Sequence, residues 1–358
     1  MQPVVALDMR LLGAQATGDS TYWAGLLNGL VQIEPEAKFL LCSNKERPAN
    51  VPVSTNFEWV RIDSSRSRWW SLFRFPLVAR RRGATVIHTQ YSLSPLVGNT
   101  GVTTIHDVSF LIEPNWFKPK DRVLLSRFVR PSARRASRVI TVSNTSKSEI
   151  VGFWPEVESK VDVVYNAAGK DIRPIERKAA KHYVESTLGI QGPFLLTVGT
   201  RWPRKNLDLA VKAATPLPTT LVITGKSGWG DEEQSSKVVR TGYVSDEDLS
   251  NLYSAAALYL APSRHEGFGI PVLEAFLCGC PVMCSSGGAL PEISGDAACV
   301  MPTWEATDWT ERLKILLSDS SKLAEMTRLG RERESLFSWR RTAEQTFQIY
   351  SEVSHAGQ

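Results

Sequence analysis

The sequence lacks most of the features that would set a chain apart from ordinary soluble globular proteins. No apolar run approaches about 18 residues, so no transmembrane helix is expected. Cysteine is scarce and odd in number, five in 358 residues, four of them at Cys278, Cys280, Cys284 and Cys299. That excludes a disulfide framework and predicts reduced core thiols. The close pair Cys278-x-Cys280 has the wrong spacing for zinc and no partnering histidines, so no metal site is expected. Neither charge dominates: 42 Lys and Arg against 37 Asp and Glu leave +5. This balance suits an anionic ligand or surface but is too weak to argue for nucleic acid. There is no repeat of solenoid length and no low-complexity tract.

Two familiar phosphate motifs are also missing. Gly13–Ser20 has the phosphate-loop spacing, but Asp19 stands where the motif needs its lysine. Thr224-Gly-Lys-Ser227 has the second half without the earlier glycine. Neither supports an ordinary ATPase. No Gly-x-Gly-x-x-Gly follows the first apolar run, which disfavours a nicotinamide enzyme. Residues Met1–Asp8 have a four-residue apolar run and no basic flank. They read as a first strand rather than a secretion signal, and a cytoplasmic chain is expected.

What is present is alternation. Short β-branched runs at 4–7, 39–42, 59–62, 85–88, 102–105, 138–142 and 161–164 alternate with amphipathic stretches such as 22–33, 70–82, 123–136 and 147–153. A charged stretch, Lys170–Lys178, interrupts the pattern. Strands then resume at 194–198, 220–224, 258–261, 281–284 and 298–301, with helices at 207–214, 246–255 and 271–278. The pattern predicts two doubly wound α/β domains with parallel sheets, at residues 1–170 and 171–336. A final helix from Trp339 would occupy most of 337–358. Ligands of such sheets bind beyond the carboxyl ends of the strands, so a cleft between the domains is the expected site.

Three stretches carry chemistry. In the first, a strand ends at Ala261 and a glycine loop with Gly267 and Gly269 follows; Pro271 then opens a helix. Free N–H groups at such a helix start suit an anion. Glu266 and Glu274 bracket the loop with seven residues between them. A carboxylate repels phosphate, so sugar hydroxyls are its better partners. In the second, Gly199-Thr-Arg-Trp-Pro-Arg204-Lys205-Asn206 puts two cations at a helix start, where the helix dipole disfavours them. An anionic partner such as a diphosphate is predicted. The third is His106-Asp107 at a strand end. The imidazole could donate to a substrate hydroxyl or shuttle a proton, with Asp107 fixing its tautomer or holding the loop.

These stretches, in this order, resemble the family 4 retaining glycosyltransferases of the GT-B fold, with bacterial polysaccharide mannosyltransferases the most similar members. The resemblance spans nearly the whole chain. It includes Glu266 and Glu274 within Arg-His-Glu-Gly-Phe-Gly-Ile-Pro-Val-Leu-Glu, Val142–Ile150, Val164–Ala167, Gly242-Tyr-Val, Ser286–Glu292 and Phe337-Ser-Trp-Arg. It implies a C-terminal domain that binds a nucleotide sugar and an N-terminal domain that presents the acceptor. Glu274 would bind the ribose and Glu266 the donor-sugar hydroxyls. The amides of Gly267, Phe268, Gly269 and Ile270 would face sugar and phosphate. Arg204 and Lys205 would hold the diphosphate, His106 would contact the donor sugar, and Gly18, in the loop after the first strand, would approach donor or acceptor. The last helix would cross back to the first domain. Where some members carry arginine directly after the strand glycine, this chain has Thr200, with Arg201 the alternative cation.

The resemblance implies transfer with retention and no metal, the donor guessed as GDP-mannose, with UDP-sugars and other GDP- or dTDP-sugars open, and the acceptor a glycan or a lipid-linked glycan. No covalent role is assigned to Glu266. A nucleotide-sugar epimerase would turn over without an acceptor, and an inactive sugar-binding scaffold would have lost the site residues. Residues 61–82 mix Arg with Trp and Phe, which suits a helix lying on an anionic membrane at the inner face of the cell. The competing reading is a surface helix whose aromatics pack on the sheet.

Overall fold

The computed structural model describes residues 2–13, 17–64, 67–226, 228 and 235–356. It separates into two compact units, Met1–Lys170 with Ser338–Gln358, and Asp171–Phe337. The first is built on seven strands: β1 (Val4–Asp8), β2 (Lys38–Ser43), β3 (Phe57–Arg61), β4 (Val86–Gln90), β5 (Gly101–Thr104), β6 (Arg138–Thr141) and β7 (Val161–Val163). All run parallel, in the order β3-β2-β1-β4-β5-β6-β7. The second holds β8 (Phe194–Val198), β9 (Thr220–Thr224), β10 (Val238–Gly242), β11 (Leu258–Ala261), β12 (Val282–Ser285) and β13 (Ala298–Met301). These are also parallel, in the order β10-β9-β8-β11-β12-β13.

Both sheets are Rossmann-like. Each winds outward in both directions from its first strand, so strand order reverses at β1/β4 and at β8/β11. A crevice opens beyond the carboxyl ends of the strands at such a reversal. The central strands are apolar on both faces because helices cover both: Val5, Ala6, Leu7, Leu195 and Leu196 have no solvent exposure.

Several elements depart from the sequence pattern for identifiable reasons. The last residues of the charged stretch Lys170–Lys178 already open a helix, Arg177–Thr187, that buries only Ala180 and Val184. So narrow a stripe leaves little periodicity to read. Strand β10 is an edge strand with three exposed residues of five, and it too has little apolar signal. The stretch 70–82 is not one regular helix. It runs as a turn at Ser67–Trp69, a π-helical turn at Trp70–Arg74 and an α-helix at Phe75–Arg81. Pro76 has no N–H to give the Leu72 carbonyl, and the Ser94 hydroxyl takes that carbonyl instead at 2.6 Å. The Gly13–Ser20 match includes residues 14–16, and the Thr224–Ser227 match includes Ser227; these lie outside the described residues. What is described there is a helix, Gly18–Ile33, with a reciprocal Thr17/Ser20 cap.

The helix Trp339–Ala356 packs within the first unit against Gly18–Ile33. The Trp339 indole N–H donates to the Ala168 carbonyl at 2.7 Å, and the Thr342 hydroxyl to that of Tyr165 at 2.6 Å. Gly25 and Gly29 permit the approach. A Cβ on Gly29 would stand 2.0 Å from the Trp339 carbonyl oxygen. Gly29→Ala therefore forces two backbones apart, and a loss of about 1–3 kcal/mol or more in urea unfolding is expected. Unchanged stability would contradict this packing.

Candidate functional site

The order reversal in the second unit brings two loops together. Gly199–Asn206 leaves β8, and Pro262–Gly269 leaves β11. The Arg264 amide donates to the Arg204 carbonyl at 2.8 Å, tying one loop to the other. Pro203–Lys205 forms a tight turn, and Asn206 adopts a left-handed conformation before the helix Leu207–Ala214.

Both cations meet Glu266. Arg204 Nη1 lies 2.8 Å from Glu266 Oε2, and Lys205 Nζ lies 2.7 Å from Oε1. The Ser263 hydroxyl donates to Oε1 at 2.5 Å, and Arg204 also donates to the His265 carbonyl at 2.7 Å. Side-chain exposure is only 10% for Glu266, 13% for Arg204 and 15% for Lys205. Burial alone pushes the Glu266 carboxyl up. Lys205 and Arg204, with the hydrogen bonds from Lys205 and Ser263, more than offset this and hold it well below the usual carboxylate range. Two cations thus share one carboxylate.

A third segment backs this loop. The Ala289 amide donates to the Glu266 carbonyl at 2.8 Å, and the Ser285 hydroxyl donates to that of Ser263. Gly288 has φ +61°, and a Cβ there would stand 2.3 Å from the Glu266 carbonyl oxygen. The Gly-Gly of Ser286–Glu292 is thus the contact surface that sets the height of the Glu266 loop.

Glu274 lies on the helix Ile270–Leu277, which Gly269 caps at φ +103°. It is buried and accepts a hydrogen bond from the Tyr253 hydroxyl at 3.0 Å. The Phe268 side chain packs edge-on against Phe337 at 5.9 Å between ring centres, so it serves the core and only its backbone remains for a ligand role. Gly267 is buried, while Thr200 and Ile270 are half-buried.

His106 and Gly18 belong to the first unit. His106 follows β5, and its Nε2 lies 3.2 Å from Gln90 Oε1 and 3.7 Å from Asp19 Oδ1. Burial lowers the imidazole pKa, and Asp19 and Asp107 offset this only in part. Asp107 holds the loop: its Oδ1 accepts from the Ser109 amide at 2.9 Å and from the Ser109 hydroxyl at 2.5 Å. Gly18 is exposed at the start of its helix, beside Asp19.

Sequence reasoning missed Ser263, Tyr253 and Gln90. The Ser263-x-x-Glu266 spacing was a signal, since it matches a capping pair. Tyr253 reaches Glu274, and Gln90 reaches His106, only through tertiary placement within their own units.

The chain is therefore a two-unit Rossmann-like protein of the GT-B class. Residues 20–168 match the family model described as Glycosyltransferase Family 4, and residues 185–333 match Glycosyl transferases group 1. The chain is 34% identical over 266 residues to the O-antigen chain mannosyltransferase B of Escherichia coli, covering 70% of this chain and 69% of that one. It is 24% identical over 245 residues to the serotype-specific mannosyltransferase WbdA of Escherichia coli, covering 63% of this chain but 30% of that longer one. Sucrose-phosphate synthase from Thermosynechococcus elongatus shares the fold at TM-score 0.76 and 20% identity, covering 99% of this chain and 100% of that one. The chain belongs to the family 4 glycosyltransferases.

The depressed Glu266 pKa fixes the sign of its pH effect. Its stabilisation is present above the unfolded carboxyl pKa of 4.5 and is lost as pH falls through the lower folded value. Glu266→Gln strands two buried cations, so at pH 7 thermal unfolding is expected to show a loss of up to about 3–5 kcal/mol. The difference from the parent should shrink below pH 4.5. An equal melting temperature at pH 7 would contradict the pairing.

Proposed function

We propose that the chain is a retaining glycosyltransferase that moves mannose from GDP-mannose to a glycan or lipid-linked acceptor without a metal ion. The observation that carries this reading is the buried Arg204–Glu266–Lys205 cluster at the β8/β11 reversal, two cations held at the usual ligand position of the fold. The mannosyl preference rests on the name of the Escherichia coli O-antigen relative.

In this reading Arg204 and Lys205 hold the donor diphosphate and stabilise charge as the bond from sugar C1 to phosphate oxygen breaks. The helix N-terminus at Ile270 adds to that stabilisation. Glu266 stays ionised and accepts hydrogen bonds from donor-sugar hydroxyls, while Glu274 accepts from the ribose. The acceptor oxygen attacks C1 on the face the diphosphate leaves, through an oxocarbenium-like state. The acceptor proton passes to the departing phosphate oxygen, and configuration is retained. Gly18 and His106 serve the sugar and acceptor from the first unit.

The test is transfer from a panel of nucleotide sugars, with product stereochemistry read by NMR. GDP-mannose should be the preferred donor, the product should retain the donor's anomeric configuration, and EDTA should leave the rate unchanged. Lys205→Ala should lower kcat by about 10²–10³-fold, as expected for loss of one stabilising group at a developing charge. An inverted product, or a rate that falls with chelation, would overturn the mechanism. Preference for another donor would overturn the sugar assignment alone.

We further propose that residues 61–82 touch an anionic membrane surface; Ser65 and Arg66 of that stretch lie outside the described residues. The aromatics divide between two roles. Trp70 and Phe75 are buried and stacked at 4.9 Å, with the Trp70 N–H on the Ile62 carbonyl at 2.8 Å. Trp69, Phe73 and Leu77 are exposed beside Arg68, Arg74 and Arg81. An open hollow of about 580 Å³ is lined by Trp69, Leu72, Phe73, Arg68, Ser67 and Lys120. No helix among the described residues is long and apolar enough to cross a membrane, so contact would be superficial. Flotation with anionic vesicles at low salt is expected, reduced by Trp69→Ser with Phe73→Ser. Failure of the parent protein to float would overturn this.

A further inference from the structure

Gln90 ends β4 in register with Thr104 of β5, which brings its side chain beside His106. Its amide orientation is fixed from the far side. Gln90 Nε2 donates to the Asp19 backbone carbonyl at 3.0 Å. A carbonyl can only accept, so the NH2 half must face it and Oε1 is left facing His106 Nε2 at 3.2 Å. An amide oxygen also only accepts, so the hydrogen must sit on Nε2. Asp19 Oδ1, 3.7 Å from the same nitrogen, favours that placement. In the neutral ring Nδ1 then carries the lone pair, and it has no hydrogen-bond partner among the described residues.

The neighbours leave this assignment intact. Asp107 accepts from Ser109. Buried His88 is occupied at both nitrogens, by the Tyr350 hydroxyl at 2.6 Å and the Thr104 hydroxyl at 2.8 Å. Tyr22 and Tyr91 flank His106 with their rings, at 5.0 and 5.8 Å between centres.

We propose that Gln90 is a positioning residue that locks His106 in the Nε2–H tautomer, so that His106 meets its substrate through Nδ1 as a hydrogen-bond acceptor. The substrate half of this statement rests on the glycosyltransferase reading; the tautomer half does not. His106 therefore accepts from a hydroxyl of the sugar or acceptor and does not donate to one. A wrong tautomer would present an N–H where a lone pair is needed, a defect that costs severely in histidine-dependent enzymes.

Long-range proton–nitrogen NMR on the full chain with 15N-labelled histidine tests this directly, with His106 assigned by the signals lost in His106→Asn. At neutral pH, His106 should show a protonated Nε2 and an unprotonated Nδ1. Gln90→Leu should give a mixed or reversed tautomer. Gln90→Glu keeps an acceptor toward Nε2, so it should preserve the parent tautomer and raise the pH at which the ring protonates. The charged and titratable groups around the ring (Asp19, Asp107, Tyr22, Tyr91 and His88) are unchanged in both variants. Matching circular dichroism excludes misfolding.

In turnover, Gln90→Leu should lower kcat roughly tenfold or more with little change in donor KM. Gln90→Glu should recover the rate, with the acid limb of its pH profile moved upward. A parent His106 protonated at Nδ1, or a tautomer unmoved by Gln90→Leu, would overturn the proposal. So would full turnover in Gln90→Leu. If no donor turns over in any variant, the glycosyltransferase reading fails while the tautomer result stands.

Discussion

The second unit is organised around one buried carboxylate held between two cations. Taking Glu266, Arg204 and Lys205 out of water is costly, and only close geometry recovers that cost. Here the geometry is close on both oxygens, and Ser263 completes it. Removing either kind of partner leaves an uncompensated charge, so the two loops that carry them are fixed to each other. The Arg264–Arg204 backbone hydrogen bond and the Gly287-Gly288 backing segment are what allow that fit.

Glu266 is the counter-ion of Arg204 and Lys205. Glu266 therefore keeps the cations in place and stays charged itself, ready to accept hydrogen bonds. In the first unit, the Asp19 carboxylate stands 3.7 Å from His106 Nε2. His106 is shielded and oriented by Gln90, Tyr22 and Tyr91 rather than by a close ion pair.

Much of this was legible in the sequence because it depends on local order. The strand alternation predicts two parallel sheets, and β8, β9, β11 and β13 lie where the apolar runs place them. Glu266 and Glu274 stand out because glycines and Pro271 mark a strand-to-helix turn. What could not be read depends on contacts between distant segments. The cations at 204 and 205 predict an anion, and their resident anion is Glu266, some sixty residues on. Gln90 reaches His106 only because β4 and β5 pair in register. The helix Arg177–Thr187 and edge strand β10 bury too little apolar surface to leave a pattern. Phe268 is read as a ligand contact through its amide, and the motif gives no sign that its ring packs on Phe337.

The most direct test of the account is a calorimetric titration of the full chain with GDP and with GMP, repeated in the Arg204→Ala, Lys205→Ala double variant. A diphosphate site built on these two cations should bind GDP roughly tenfold or more tighter than GMP, since each charge-assisted contact to the second phosphate adds affinity. That preference should weaken with salt and vanish in the double variant. Equal binding of the two nucleotides, or a GDP preference that survives loss of both cations, would contradict the claim that this cluster is the donor diphosphate site.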